Sequence, residues 1–168
     1  MSVTNADTAR QTRNAKLLRQ CDPVFARKVS AILADMEGHG LKPRVQESWR
    51  SLARQNTLKQ QGFTQLAWSF HNATNTQGQP DSLAVDLVDE QYPLQSPTRF
   101  LLLLASAARS HGCVTGIVWG LTKKQGEEIN QAIESSDWSA SVMVGWDPEH
   151  VQIGGISLSE AREGKRPE

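Results

Sequence analysis

LAVDLV (Leu83–Val88), TRFLLLLASAARS (Thr98–Ser110) and VTGIVW (Val114–Trp119) follow one another in the middle of the chain with contrasting patterns. The first has strand character. The second reads as a largely buried helix, with Pro97 near its start and Gly112 after its end. The third predicts another strand. Upstream, Asp22-Pro23 is a strong helix start, an N-cap followed by proline at the first helical position. Phe25, Val29, Ile32, Leu33 and Met36 then recur at helical spacing until Gly38 and Gly40. Arg44 to Glu47 reads as a short strand, Leu52 to Gln61 as a helix stopped by Gly62, and Asn72 to Gln79 as a polar loop. Downstream, Thr122 caps an amphipathic helix over Lys124 to Ser135, and residues 142–153 predict a strand interrupted near Pro148. Helices lie mainly first and short strands mainly later, so the expected class is α+β.

The chain has 168 residues, enough for one domain and one core. Eighteen basic residues offset eighteen acidic ones, which argues against a nucleic-acid binder with a broad basic face. The longest largely apolar run, Phe100 to Ala108, is far shorter than the roughly 20 residues a membrane span needs, so the chain is not expected to be membrane-embedded. Met1 to Asn14 is polar without an apolar segment. It predicts a loose arm (residues 1–14) and synthesis in the cytoplasm with no secretory signal. Residues 15–156 are the expected folded domain and 157–168 a tail. Cys21 and Cys113 lack metal-site spacing and read as free thiols.

The chain has four histidines. His39, between two glycines, reads as a surface residue, and His111 as a helix cap or core residue. His71 opens the polar loop that leads to the strand bearing Asp86. His150 follows Asp147 by three residues in Gly145-Trp146-Asp147-Pro148-Glu149-His150. Two imidazoles and one carboxylate are a common set for catalytic zinc, and the helix-borne H-E-x-x-H motif is absent. On spacing alone, a loop histidine, a strand-end carboxylate and a solvated acidic turn account for these residues better than a zinc site does.

Val45 to Gln55 (VQESWRSLARQ) resembles the strand–Tyr/Trp-Arg-Ser–Arg-Gln segment of one metallopeptidase family. That family holds zinc D-alanyl-D-alanine carboxypeptidases, vancomycin-resistance D,D-dipeptidases and phage L-alanyl-D-glutamate endopeptidases. Its first metal motif is similar to Ser69-Phe70-His71 followed by Ala84-Val85-Asp86-Leu87, and its second to Trp146-Asp147-Pro148-Glu149-His150. The segments keep the family's order from Val45 to Ile153. Fourteen residues separate His71 from Asp86, more than the motif usually has, and Ser82 stands where a glycine is usual. An insertion within the polar loop accounts for both. Asp81, inside it, is a rival ligand.

The resemblance implies a single compact domain with a small, mainly antiparallel sheet packed by helices, and a zinc site in a cleft on the sheet. It implies that His71, Asp86 and His150 bind one zinc ion and that Asp147 is the general base, with Glu149 as the alternative. Pro148 disfavours a helix here, so Asp147 and His150 are expected to converge through a turn or bulged strand. Arg50 is implied as an oxyanion or substrate anchor, with Ser69 and Gln55 as further substrate contacts. Trp49 and Trp146 are expected to pack or to wall the cleft. The implied partner is the peptidoglycan stem peptide, cut by a monomer between L-alanine and D-glutamate, as in phage or prophage lysins released to the wall by a holin or secretion apparatus. A D,D-carboxypeptidase would need a further cation for a free carboxylate, for which Arg54, Arg99 and Arg109 are candidates. A non-catalytic zinc-containing wall-binding module is the remaining alternative.

Overall fold

The computed structural model describes residues 5–168. Helix α1 spans Asn5–Leu18 and α2 Pro23–Gly38; strand β1 (Pro43–Glu47) and helix α3 (Leu52–Gln60) follow. A single 3-10 turn at Phe70–Asn72 leads to β2 (Ala84–Asp89), α4 (Thr98–Ser110), β3 (Cys113–Gly116), α5 (Lys123–Glu134), β4 (Asp147–Ile153) and α6 (Leu158–Arg162). The four strands form one antiparallel sheet in the order β1-β2-β4-β3, so the class is α+β as expected.

The long helices form where their signals lie. Asp22 Oδ1 accepts the N–H groups of Val24 and Phe25 at 2.9 and 3.0 Å, which satisfies two donors that a helix start leaves open. Phe25, Val29, Ile32 and Met36 are completely buried and face α4, whose Phe100, Leu102 and Leu104 are also fully enclosed. Burial of such a side chain contributes about 1.5–3 kcal/mol. Both cysteines are buried and unpaired, and burial pushes the thiol of Cys21 up to about 12 and that of Cys113 to about 11.

Three expectations change. Residues 5–14 are not a loose arm but most of α1, which covers the outer edge of β1. Asn14 accepts the N–H of Val45 at 2.8 Å and donates to the Pro43 carbonyl at 3.1 Å, while Arg10 donates to the same carbonyl and pairs with Glu37. A side-chain amide thus stands in for a neighbouring strand, and polar pairing leaves no apolar periodicity to read. The residues from 157 onward are likewise packed: α6 lies against the 3-10 turn, and Arg166 bonds Asp81 at 2.5 Å and the Thr74 carbonyl at 2.6 Å. Finally, residues 142–146 are not strand, and β3 ends at Gly116, where the chain turns back through a Trp119 N–H to Gly116 carbonyl bond of 3.0 Å.

Strand β4 runs through Pro148 because that residue sits in a bulge. Thr115 pairs with Val151 but the adjacent Gly116 with Asp147, so three residues of β4 are accommodated without ladder partners on β3. The close approach depends on glycine. A Cβ on Gly116 would lie 2.1 Å from the Asp147 carbonyl oxygen, and one on Gly145 would lie 2.5 Å from the Gly116 carbonyl oxygen.

Candidate metal centre

The sheet register builds the site. Glu47 is paired with Asp86, and Asp86 with His150, so three ionisable side chains stand in one row across β1, β2 and β4. Asp86 is the one half-exposed residue of a strand otherwise buried along its length. His71 comes from the 3-10 turn. Asn72 locks that turn by accepting the Ser69 N–H at 2.8 Å and donating to the Arg50 carbonyl at 2.7 Å. The Arg50 N–H returns a bond of 2.9 Å to the His71 carbonyl, stitching the Trp-Arg-Ser segment to the turn.

His71 Nε2, His150 Nδ1 and Asp86 Oδ1 form a nearly equilateral triangle, with sides of 3.3, 3.3 and 3.4 Å. A tetrahedral zinc with bonds of about 2.0–2.1 Å separates its ligand atoms by about 3.3–3.4 Å, so the donor spacing fits that ion. The outer ring nitrogens fit it as well. His71 Nδ1 donates to the Ser48 carbonyl at 2.5 Å and His150 Nε2 to Gln152 Oε1 at 3.0 Å, so both inner nitrogens present lone pairs. Two lone pairs and a carboxylate oxygen converging on one point, with both histidines buried, are a donor set that favours a cation. Among the described residues, no other group of three His, Cys, Asp or Glu side chains converges in this way.

The electrostatics agree. Burial pushes the Asp86 carboxyl up, but the imidazoles of His71 and His150 outweigh it and hold the group well below the usual carboxylate range. Burial alone would lower His150, but the carboxylates of Asp86 and Asp147 beside it reverse the direction and raise it, so a proton competes with a cation for its Nδ1. Asp81, the rival ligand, is turned away and paired with Arg166.

Asp147 lies beside the triangle without belonging to it, its Oδ2 at 4.0 Å from His150 Nδ1. Burial raises its pKa above the ordinary aspartate value. Glu149 points elsewhere and accepts the Ser96 N–H at 3.4 Å, so of these two carboxylates only Asp147 lines the cleft. Arg50 donates from Nε to Glu47 at 3.0 Å and from Nη1 to Gln55 at 2.9 Å, and its Nη2 stands 3.6 Å from Asp86 Oδ2. Nη2 also makes a short contact to Glu47.

Gln55 is a correction. Its amide is fully buried, accepting from Arg50 and donating to the Leu66 carbonyl at 2.9 Å, so it supports Arg50 and does not line the cleft. Ser69 lines the cleft but shares its hydroxyl with Asn72 at 3.2 Å. Trp146 walls the cleft, whereas Trp49 does not reach it.

Two residues escaped the sequence reading. Trp119 packs its ring 5.2 Å from His150 and 5.3 Å from Trp146. Glu47 holds Arg50 and Arg54 on its two oxygens, and those bonds outweigh burial to lower its pKa. Its position three residues before Arg50 was the available signal. The cleft over these groups encloses about 600 Å³, with apolar walls that include Phe63, Leu66 and Leu158.

No protein-family model and no curated protein sequence matches the chain. Solved structures similar to it include two peptidases. One is a VanY D,D-pentapeptidase variant from a VanB-type vancomycin resistance cassette, in complex with Zn(II). It is 15% identical over 85% of this chain and 76% of that one, with a TM-score of 0.43. The other is the L-Ala D-Glu endopeptidase ChiX of Serratia marcescens, 21% identical over 84% of this chain and 86% of that one, with a TM-score of 0.53. The chain therefore shares its fold with the L-Ala D-Glu endopeptidase ChiX, in agreement with the fold class that the sequence motifs implied.

Proposed function

We propose that this protein is a zinc-dependent peptidoglycan peptidase that hydrolyses a stem-peptide amide bond, most specifically the bond between L-alanine and D-glutamate. The observation that carries the reading is the triangle of His71 Nε2, Asp86 Oδ1 and His150 Nδ1, with Asp147 beside it and outside it. A structural zinc would fill its fourth position with a protein ligand, whereas a catalytic one keeps it for water. The activity of ChiX and the motif resemblance point to the same substrate class.

In this reading His71, Asp86 and His150 hold the ion, which when bound acidifies a water and polarises the scissile carbonyl. Asp147 Oδ2 accepts the proton of the attacking water and delivers it to the leaving amine nitrogen. Burial suits Asp147 to this task by raising its proton affinity. Arg50 is held in place by Glu47 and Gln55 and balances the charge on Asp86 Oδ2. An N–H that these bonds leave free on Arg50 meets the developing oxyanion. Trp119 and Trp146 shield the His150 side of the cleft. The Trp-Asp-x-x-His form of residues 146–150 favours the lysin type, acting on the cell wall after release from the cell.

Mass spectrometry of peptidoglycan digested by the purified protein tests the proposal. New N-terminal D-glutamate is expected, and it should vanish with a chelator. Release of free D-alanine instead would reassign the enzyme as a D,D-carboxypeptidase, and intact muropeptides would remove the peptidase reading.

A further inference from the structure

Arg54, Arg99 and Arg109 are the cations that sequence offers for holding a substrate carboxylate, and the fold separates them. Arg99 donates to the His39 carbonyl at 3.3 Å, and Arg109 to Asn130 Oδ1 at 2.6 Å, both away from the cleft. Arg54 lines the cleft. It lies on the first turn of α3, and its Nε donates to Glu47 Oε1 at 2.7 Å. Glu47 thereby fixes the guanidinium while its other oxygen holds Arg50. Nη1 and Nη2 of Arg54 have no partner among the described residues, and the side chain is 60% exposed. Arg50 is committed to Glu47, Gln55 and the Asp86 side. Glu47, Asp86 and Asp147, the other charged side chains lining the cleft apart from its histidines, are acidic. Arg54 is thus the cleft's one arginine with its two terminal nitrogens open, a fork that matches a carboxylate.

We infer that Arg54 is a specificity-determining residue that grips the carboxylate carried by the residue whose amine is released. The inference rests on the peptidase reading. Its chemistry is common to both bond specificities. A D-glutamate linked onward through its side chain keeps a free α-carboxylate on the carbon that bears the scissile nitrogen, and a terminal D-alanine does the same. The L-alanine side of the bond carries no such charge. A fixed cation one side chain beyond Arg50 therefore selects for the amine side of the bond.

The test uses four short stem peptides and the zinc-loaded protein: an L-alanyl-γ-D-glutamyl peptide with a free α-carboxylate, its α-amide, and a D-alanyl-D-alanine peptide as acid and as amide. For whichever pair is cleaved, the wild type should favour the acid in kcat/KM by about tenfold or more, chiefly through KM. In Arg54→Ala that ratio should fall towards one, and in Arg54→Lys it should be intermediate. A merely structural role for Arg54 would lower acid and amide together and leave the ratio intact, which overturns the inference. So does equal cleavage of acid and amide by the wild type. Failure of the wild type to cleave any of the four refutes the peptidase reading itself, and the inference with it. Which pair is cleaved identifies the source of the carboxylate.

Discussion

Asp147 stands 4.0 Å from a donor atom of the triangle and yet outside it, which is where a proton carrier for an attacking water belongs. Asp147→Asn keeps its shape and removes its basicity. The expected outcome is a kcat lower by roughly 10²–10⁴-fold, with the zinc content unchanged by elemental analysis. Gln152 acts one step further out, fixing the His150 ring through Nε2. Gln152→Ala should weaken zinc about 10–100-fold in competition with a chromogenic chelator. An unaltered affinity would show that the ring is oriented without it. At this scale the converging donors were legible, because His71, Asp86 and His150 each lie in a short motif. Gln55 stood out by its motif, but only the fold shows that its amide is consumed by Arg50 and Leu66. Trp119 was not legible at all. Its approach to His150 depends on the turn after β3, and no local signal announces that geometry.

Among the elements, the bulge between β3 and β4 decides where Asp147 and His150 point. Pro148 marked that irregularity in the sequence, and of the turn or bulged strand expected there, β4 shows the bulge. What the pattern hid is that Gly116 and Gly145 make room for it. Gly116→Ala places a methyl group 2.1 Å from a backbone oxygen that has no rotamer to yield. The strands must part, at a cost of about 1–3 kcal/mol or more. The variant should show a lower unfolding midpoint and a loss of peptidase activity that exceeds its loss of folded protein. Wild-type activity in a stable Gly116→Ala protein would mean that the bulge does not aim Asp147. Helix α1 teaches the complementary lesson. It was unreadable as structure because two of its three buried side chains, Arg10 and Asn14, are polar and meet backbone groups of β1, leaving Leu18 alone as its buried apolar residue. Apolar periodicity identifies only helices that pack through apolar faces, which is why α2 and α4 were plain.

For the whole molecule, the donors of the centre come from the 3-10 turn, β2 and β4, so an ion shared among them ties remote segments together. The unfolded chain cannot assemble that set. Zinc should therefore stabilise the native state by about 2.7 kcal/mol at a free concentration a hundredfold above Kd. Thermal unfolding with and without a chelator should show the midpoint falling by several degrees when zinc is removed, with no such difference in Asp86→Ala. Among the described residues no helix is long and apolar enough to cross a membrane. The most direct measurement is anomalous diffraction at the zinc edge from crystals of the zinc-loaded protein. The result predicted is one strong peak per chain, about 2.0–2.2 Å from His71 Nε2, Asp86 Oδ1 and His150 Nδ1. No peak there, or a peak bound by other side chains, would contradict the account.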